Sequence, residues 1–220
     1  MDSTERTAPN SAFAALRRFA FTRTMVEHCD FCGAGLGEVH QHLIEPGRRR
    51  LVCVCEACAI LFGSQGETAY RRVPRRILYL PDFRLTDAQW EGLLIPIQLA
   101  FFFYSSPAGR VIALYPSPAG PTESSLDLAK WNEIAQDNPA VKSMSPDVEG
   151  LLVNRIARAR GAGVAPEYFI APIDECFKLV GLIRTNWRGL SGGEQAWEVI
   201  GRFFAGLKSR ANMLGEASHA

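Results

Sequence analysis

Apolar residues recur along this chain with two periods, and the changes of period mark its elements. Thr86-Asp-Ala-Gln89 is a capping box, a hydroxyl at the N-cap with an amide three residues on, and predicts a short helix carrying Trp90, Leu93 and Leu94. The runs from Ile95 to Tyr104 and from Arg110 to Tyr115 are apolar and β-rich and flank Ser105-Ser-Pro-Ala-Gly109, which predicts a strand pair. Pro116 to Thr122 reads as a loop, and Leu126 to Ala135 as a helix with Leu128, Trp131 and Ile134 on one face. Ser145-Pro146 has the form of an N-cap followed by a first-turn proline, and predicts a helix through Leu151, Ile156 and Arg158. Tyr168 to Ile173 and Phe177 to Thr185 read as a second strand pair around Asp174-Glu175-Cys176. A closing helix from about Gly192 to Arg210 carries Trp197, Ile200, Phe203 and Phe204 on one side. These elements predict an α+β domain with mostly antiparallel strands.

The amino-proximal part has a different grammar. Glu38 to Glu45 and Arg49 to Cys55 flank Pro46-Gly47, a turn dipeptide between two strand-like runs. Glu56 to Phe62 has helix-forming composition and stops at Gly63, a C-cap candidate. The expected organisation is a polar tail and short helix over residues 1–25, a small module over 26–64, a basic connector containing prolines and one short strand over 65–82, the α+β domain over 83–212, and a tail over 213–220.

Cysteine changes the picture. Cys29-Asp-Phe-Cys32-Gly33 and Cys53-Val-Cys55-Glu-Ala-Cys58 place five thiols within thirty residues, on either side of the hairpin. Cys29 with Cys32 and Cys55 with Cys58 form two C-x-x-C pairs, which can supply the four thiolates of a closed tetrahedral site. Knuckle, hairpin and short helix make a treble-clef-like zinc module, with Cys58 in the first helical turn, where the dipole favours thiolate. A four-thiolate site leaves no coordination position for water, so its expected role is structural. Structural zinc binds small peptides with about 10–16 kcal/mol, so residues 26–64 are expected to unfold without metal. Iron in a rubredoxin-like site, which would make the chain an electron carrier, is the competing cofactor. Cys32-Gly33 suits it, but the second pair lacks the usual proline and glycine. Cys53 shares a strand face with Cys55 and competes with it as third ligand. His40 and His42 also share one face, and a turn centred on Pro46-Gly47 sets His40 opposite Cys53, beside the site or exchanging into it.

Charge and composition narrow the remaining choices. Hydrophobic residues make up 47% and charged residues 21% of 220, with a formal net charge of +1, so no whole-molecule field draws in nucleic acid. A basic footprint exists only locally: Leu43 to Leu80 holds seven arginines and three glutamates. Arg48, Arg49, Arg50, Arg71 and Arg72 are the candidates for nucleic-acid contact, against the simpler reading of a solvated hairpin tip and linker. The longest apolar run, Leu93 to Tyr104, is shorter than a bilayer crossing and contains Pro96 and Gln98. Met-Asp-Ser-Thr-Glu, with a first apolar stretch broken by Arg17 and Arg18, does not read as the start of a signal peptide, and six cysteines in a chain of this size do not suggest a disulfide framework. A cytoplasmic protein is expected.

Catalytic constellations are weak. The histidines stand at 28, 40, 42 and 219, so the larger domain has no histidine to serve as base in a Ser-His-acid or Cys-His machine. Cys176 has only Lys178 nearby to lower its pKa. Leu190-Ser-Gly-Gly-Glu194 looks like the signature loop of transporter-type ATPases, but no phosphate-binding Walker A loop accompanies it. Ser191-x-x-Glu194 is itself a capping box. The expectation is a chain that is not an enzyme.

Longer strings carry a resemblance. They are Cys29-x-x-Cys32-Gly with His40-x-His42-Leu, Cys53-x-Cys55-x-x-Cys58 ending in Leu61-Phe62, Leu80-Pro-Asp-Phe-Arg-Leu-Thr-Asp-Ala-Gln-Trp90, Tyr115-Pro-Ser-Pro-Ala-Gly120, and Leu182-Ile-Arg-Thr-Asn-Trp-Arg-Gly-Leu-Ser-Gly-Gly193. In these the chain resembles a family of uncharacterised bacterial proteins encoded beside actinobacterial-type high-affinity uptake nickel-iron hydrogenases, with Gly161 to Pro166 looking like a loop insertion. The resemblance implies genomic partnership and no reaction. Combined with the cysteine pairs, which point only to the zinc, it leads to the expectation of a non-catalytic zinc-binding accessory protein whose partners are hydrogenase subunits or maturation factors.

Overall fold

The computed structural model describes residues 27–63, 69–156, 165–189 and 192–213. The amino-terminal tail and short helix, Arg158, Ser191 and most of the loop from Gly161 lie outside them. The fold is α+β, with two sheets built almost wholly from antiparallel pairs.

The smaller sheet has the order β2-β1-β3: β1 (Gln41–Glu45), β2 (Arg50–Val54) and β3 (Arg71–Arg72). Between β2 and β3 lies α1 (Glu56–Phe62), closed by Gly63, whose N–H donates to the Ala59 carbonyl. The hairpin loop has four residues, Pro46 to Arg49, and Arg49 takes φ +51°. A loop of that length moves the pairing by two residues from a turn centred on Pro46-Gly47. His42, not His40, faces Cys53. The connector gives β3 to this sheet and β4 (Leu78–Tyr79) to the other, so it is built into both.

The seven-stranded sheet has the order β10-β4-β9-β8-β5-β6-β7. Its remaining strands are β5 (Leu99–Ser105), β6 (Arg110–Ser117), β7 (Gly120–Ser124), β8 (Glu149–Asn154), β9 (Glu167–Pro172) and β10 (Asn212–Met213), and only β10 with β4 is parallel. Helices α2 (Asp87–Gly92) and α3 (Leu128–Asp137) cover one face, and α4 (Ile173–Asn186) and α5 (Gly193–Arg210) the other. Alternate residues of one strand therefore enter different cores: Phe101 and Phe103 pack with Leu179, Ile183, Phe203 and Phe204, while Ala100 and Phe102 pack with Trp90, Trp131 and Ile134. Ile44 and Val73, on and beside the smaller sheet, join the first of these cores, so the small module is seated on the large one.

Three expectations are corrected. The stretch through Leu151 is strand β8, because Gly150 to Val153 is buried on both faces of a covered sheet, and a run apolar on both sides has no period to separate strand from helix. Phe177 to Thr185 belongs to helix α4, which buries Ile173, Cys176, Leu179, Val180 and Ile183 at helical spacing. Pro116 to Thr122 is not all loop: β6 runs to Ser117 and Gly120 starts β7 with φ +121°, which favours glycine.

The capping box at Thr86 is complete, with the Thr86 hydroxyl accepting from Gln89 N and the Gln89 amide oxygen accepting from Thr86 N. Thr86→Ala is expected to cost about 1 kcal/mol, read as a lower midpoint in urea.

Candidate metal centre

The knuckle is assembled by backbone hydrogen bonds. Cys29 N donates to Ala34 O and Gly33 N to Cys29 O, each at 2.8 Å, and Gly33 takes φ +72°, which lets the chain turn back after Cys32. The knuckle is held to β2 from both sides, by Asp30 N to Cys53 O at 2.9 Å and Cys53 N to Asp30 Oδ2 at 2.7 Å. Phe31 packs edge-on against Phe62 of α1 and Tyr70 of the connector.

The second pair comes from the start of α1. Cys55 is the N-cap, with extended backbone and no hydrogen bond from its side chain to the helix, so its sulfur is free to turn toward the knuckle. Cys58 stands one turn later and is buried. The thiols of Cys29, Cys32, Cys55 and Cys58 all lie within 4.8 Å of one another, and the Cys32 and Cys55 sulfurs are 3.7 Å apart. Tetrahedral zinc with Zn–S near 2.3 Å requires sulfurs about 3.8 Å apart, so the group fits such an ion.

The electrostatics favour a cation. Burial pushes the Cys29 thiol up, but the backbone N–H groups of Cys55, Cys32 and Phe31 outweigh it and bring its pKa down to about 6. Cys58 is pushed up to about 12 by burial and by the sulfurs of Cys55, Cys29 and Cys32. Cys32 is also raised: the Ala34 backbone N–H lowers it, and the Cys29 and Cys55 sulfurs together outweigh that. One thiolate is welcome without metal, and further ones repel it. A divalent ion reverses that repulsion and displaces the protons, so affinity falls as pH falls.

Cys53 does not join this group. The strand ends at Val54 and Cys55 swings out as the helix cap, so the two no longer share a face; Cys53 lies instead with His40 and His42. Burial, then the charges of Glu27, Asp30 and Asp174, raise its pKa.

The arginines are largely occupied by acids. Arg49 pairs with Glu123 at 2.9 Å, Arg71 with the buried Asp147 at 3.2 Å, Arg72 with Glu56 at 2.7 Å and Arg48 with Glu45 at 3.5 Å. The pairs of Arg49 and Arg71 tie the small module and connector to the large domain. Arg50 is exposed. Cys176 is fully buried in α4, and burial raises its thiol well above the ordinary value, which leaves it inert. An apolar cleft of about 440 Å³ opens between β6 and the helices α4 and α5, lined by Tyr115, Ile183, Trp187, Trp197 and Ile200 among others, with no acid, basic side chain or cysteine among the described residues of its wall.

Fold and site together define an α+β protein with a four-cysteine module able to hold a metal ion. The chain belongs to DUF5947, a family of unknown function, which matches over residues 28–211. No curated protein and no solved structure matches it. Among the described residues, no helix is long and apolar enough to cross a membrane.

Proposed function

We propose that this chain is a non-catalytic zinc-binding accessory protein in which the four-thiolate site holds a docking module in shape. The observation that carries this is the form of the second cysteine pair. Cys55 and Cys58 stand at a helix N-terminus, the arrangement of a structural treble-clef zinc site, where a rubredoxin-like iron site would use a second knuckle loop.

The helix so anchored turns an apolar strip outward. Ile60 is 61% and Leu61 68% exposed, and no described residue covers them. A metal-pinned helix with exposed aliphatic side chains suits protein docking. The partner proposed is a nickel-iron hydrogenase, as a subunit or through its maturation factors, and this rests on the resemblance given above. The test is copurification from cells carrying tagged protein: hydrogenase subunits are expected with the wild type and lost with Leu61→Asp, which keeps all four thiols. Full hydrogenase activity after deletion of the gene, with no subunit copurifying, would overturn the partner.

A further inference from the structure

We propose that His40, His42 and Cys53 form a second metal site, separate from the four-cysteine group and open to exchange, that takes a borderline divalent transition ion of the zinc, cobalt or nickel kind. The three residues bring one ligand atom each to within 4.8 Å of the others. The hairpin register sets this up: Cys53 faces His42 across the β1-β2 pair, and His40, two residues before His42, brings its ring to 4.7 Å from that of His42.

The hydrogen bonds assign the tautomers. His42 Nδ1 donates to Asp174 Oδ2 at 2.8 Å, and His40 Nδ1 donates to the Gly37 carbonyl at 2.9 Å. In the neutral form each ring thus spends its N–H on an acceptor and presents the lone pair of Nε2. A carboxylate or carbonyl behind the imidazole is how metal-binding histidines are held and made more basic. His40 Nε2 is buried without a hydrogen-bond partner, and the side chain is only 8% exposed. A buried ring nitrogen without a well-directed hydrogen bond is costly unless an ion fills the place. Glu27 Oε2 stands 3.4 Å from this nitrogen on a side chain 60% exposed, placed to meet the ion on entry but outside the three ligand atoms that converge.

The donor set selects the ion. Two imidazoles and one thiolate suit borderline divalent metals, whereas magnesium and calcium take oxygen. Three protein ligands leave a position for water or an exchanging ligand, unlike the closed four-thiolate site. Asp174 lies in the first turn of α4, so an ion on His42 would also be linked to the seat of the module on the large domain.

The test is a cobalt titration of full-length protein already carrying one zinc, followed by native mass spectrometry and absorption. The expected product holds one zinc and one cobalt, with thiolate-to-cobalt charge transfer in the near ultraviolet. Cys53→Ser should abolish that band, His42→Ala should abolish the second equivalent, and Asp174→Asn, which touches no metal, should weaken it by about 10- to 100-fold. All three variants should retain the zinc. Wild-type protein that takes up no cobalt while its zinc stays bound would overturn the proposal, and this result needs no variant to fold. Equal cobalt uptake by the wild type and the variants would overturn it too.

Discussion

Stripping metal from the four-cysteine site is expected to unfold the knuckle and α1 while the seven-stranded sheet stands. The core around the site consists of Cys29, Leu43, Val52, Val54, Cys58 and Ala59. Its three larger aliphatic side chains are worth about 1.5–3 kcal/mol each. Structural zinc contributes about 10–16 kcal/mol, so the ion outweighs the packing it holds together. Without it, the buried Cys58 thiol, which burial and the sulfurs of Cys55, Cys29 and Cys32 hold protonated, has no ion to turn toward. The strand β1 should be the last part of the module to open, because Ile44 is buried in the main core. In hydrogen exchange, a chelator should remove protection from residues 27–36 and from α1 and leave β5, β8 and β9 unchanged. Cys58→Ser should do the same without chelator, since it removes a buried ligand that no neighbour replaces.

Removing Arg76 is expected to cost about 3 kcal/mol, near the low end for breaking a buried ion pair. Glu149 is fully buried at the start of β8 and accepts from Arg76 Nε at 2.6 Å, from Arg76 Nη2 at 2.8 Å and from Ser145 N at 2.8 Å. The low end applies because the Arg76 side chain is 45% exposed, so water can reach part of the gap. Burial alone would raise the Glu149 pKa, but Arg76 and the Ser145 amide hold it below the ordinary carboxylate value. A carboxylate with a depressed folded pKa adds stability that is present above its unfolded value, about 4.3, and is lost as pH falls through the folded one. Urea unfolding of Arg76→Ala should therefore show its full deficit at neutral pH and a shrinking one in acid. The double variant Arg76→Met with Glu149→Gln should recover much of the loss, because no charge is then left buried. A deficit that does not change with pH would mean the pair holds the strand by packing alone.

The four-cysteine group was legible because its chemistry is local: two C-x-x-C pairs, a turn and a helix start are read from short spacings. The capping box at Thr86 and the closing helix are local in the same way. What escaped depends on partners distant in sequence. Gly150 to Val153 could not show a strand period, because α2 and α3 cover one side of β8 while α4 and α5 cover the other. Helix α4 carried a readable signal, apolar residues at 173, 176, 179, 180 and 183, which the β-branched composition of the segment masked. The hairpin register turned on a loop of four residues in place of two, and that difference made His42, not His40, the partner of Cys53; the end of β2 at Val54 is what took Cys55 off the face of Cys53. Nothing near Asp174 announced that it would receive the His42 ring from 132 positions away. Arg49, Arg71 and Arg76 read as unpaired in the sequence because their acids, Glu123, Asp147 and Glu149, come from distant parts of the chain.

The central claim is that four sulfurs surround one ion and so shape the amino-proximal module. X-ray absorption at the zinc edge, on protein loaded with a single equivalent, tests it most directly. The account predicts a shell of four sulfurs at about 2.3 Å with no nitrogen or oxygen neighbour. A shell of mixed nitrogen and sulfur at one equivalent, or zinc lost on simple dialysis, would contradict it.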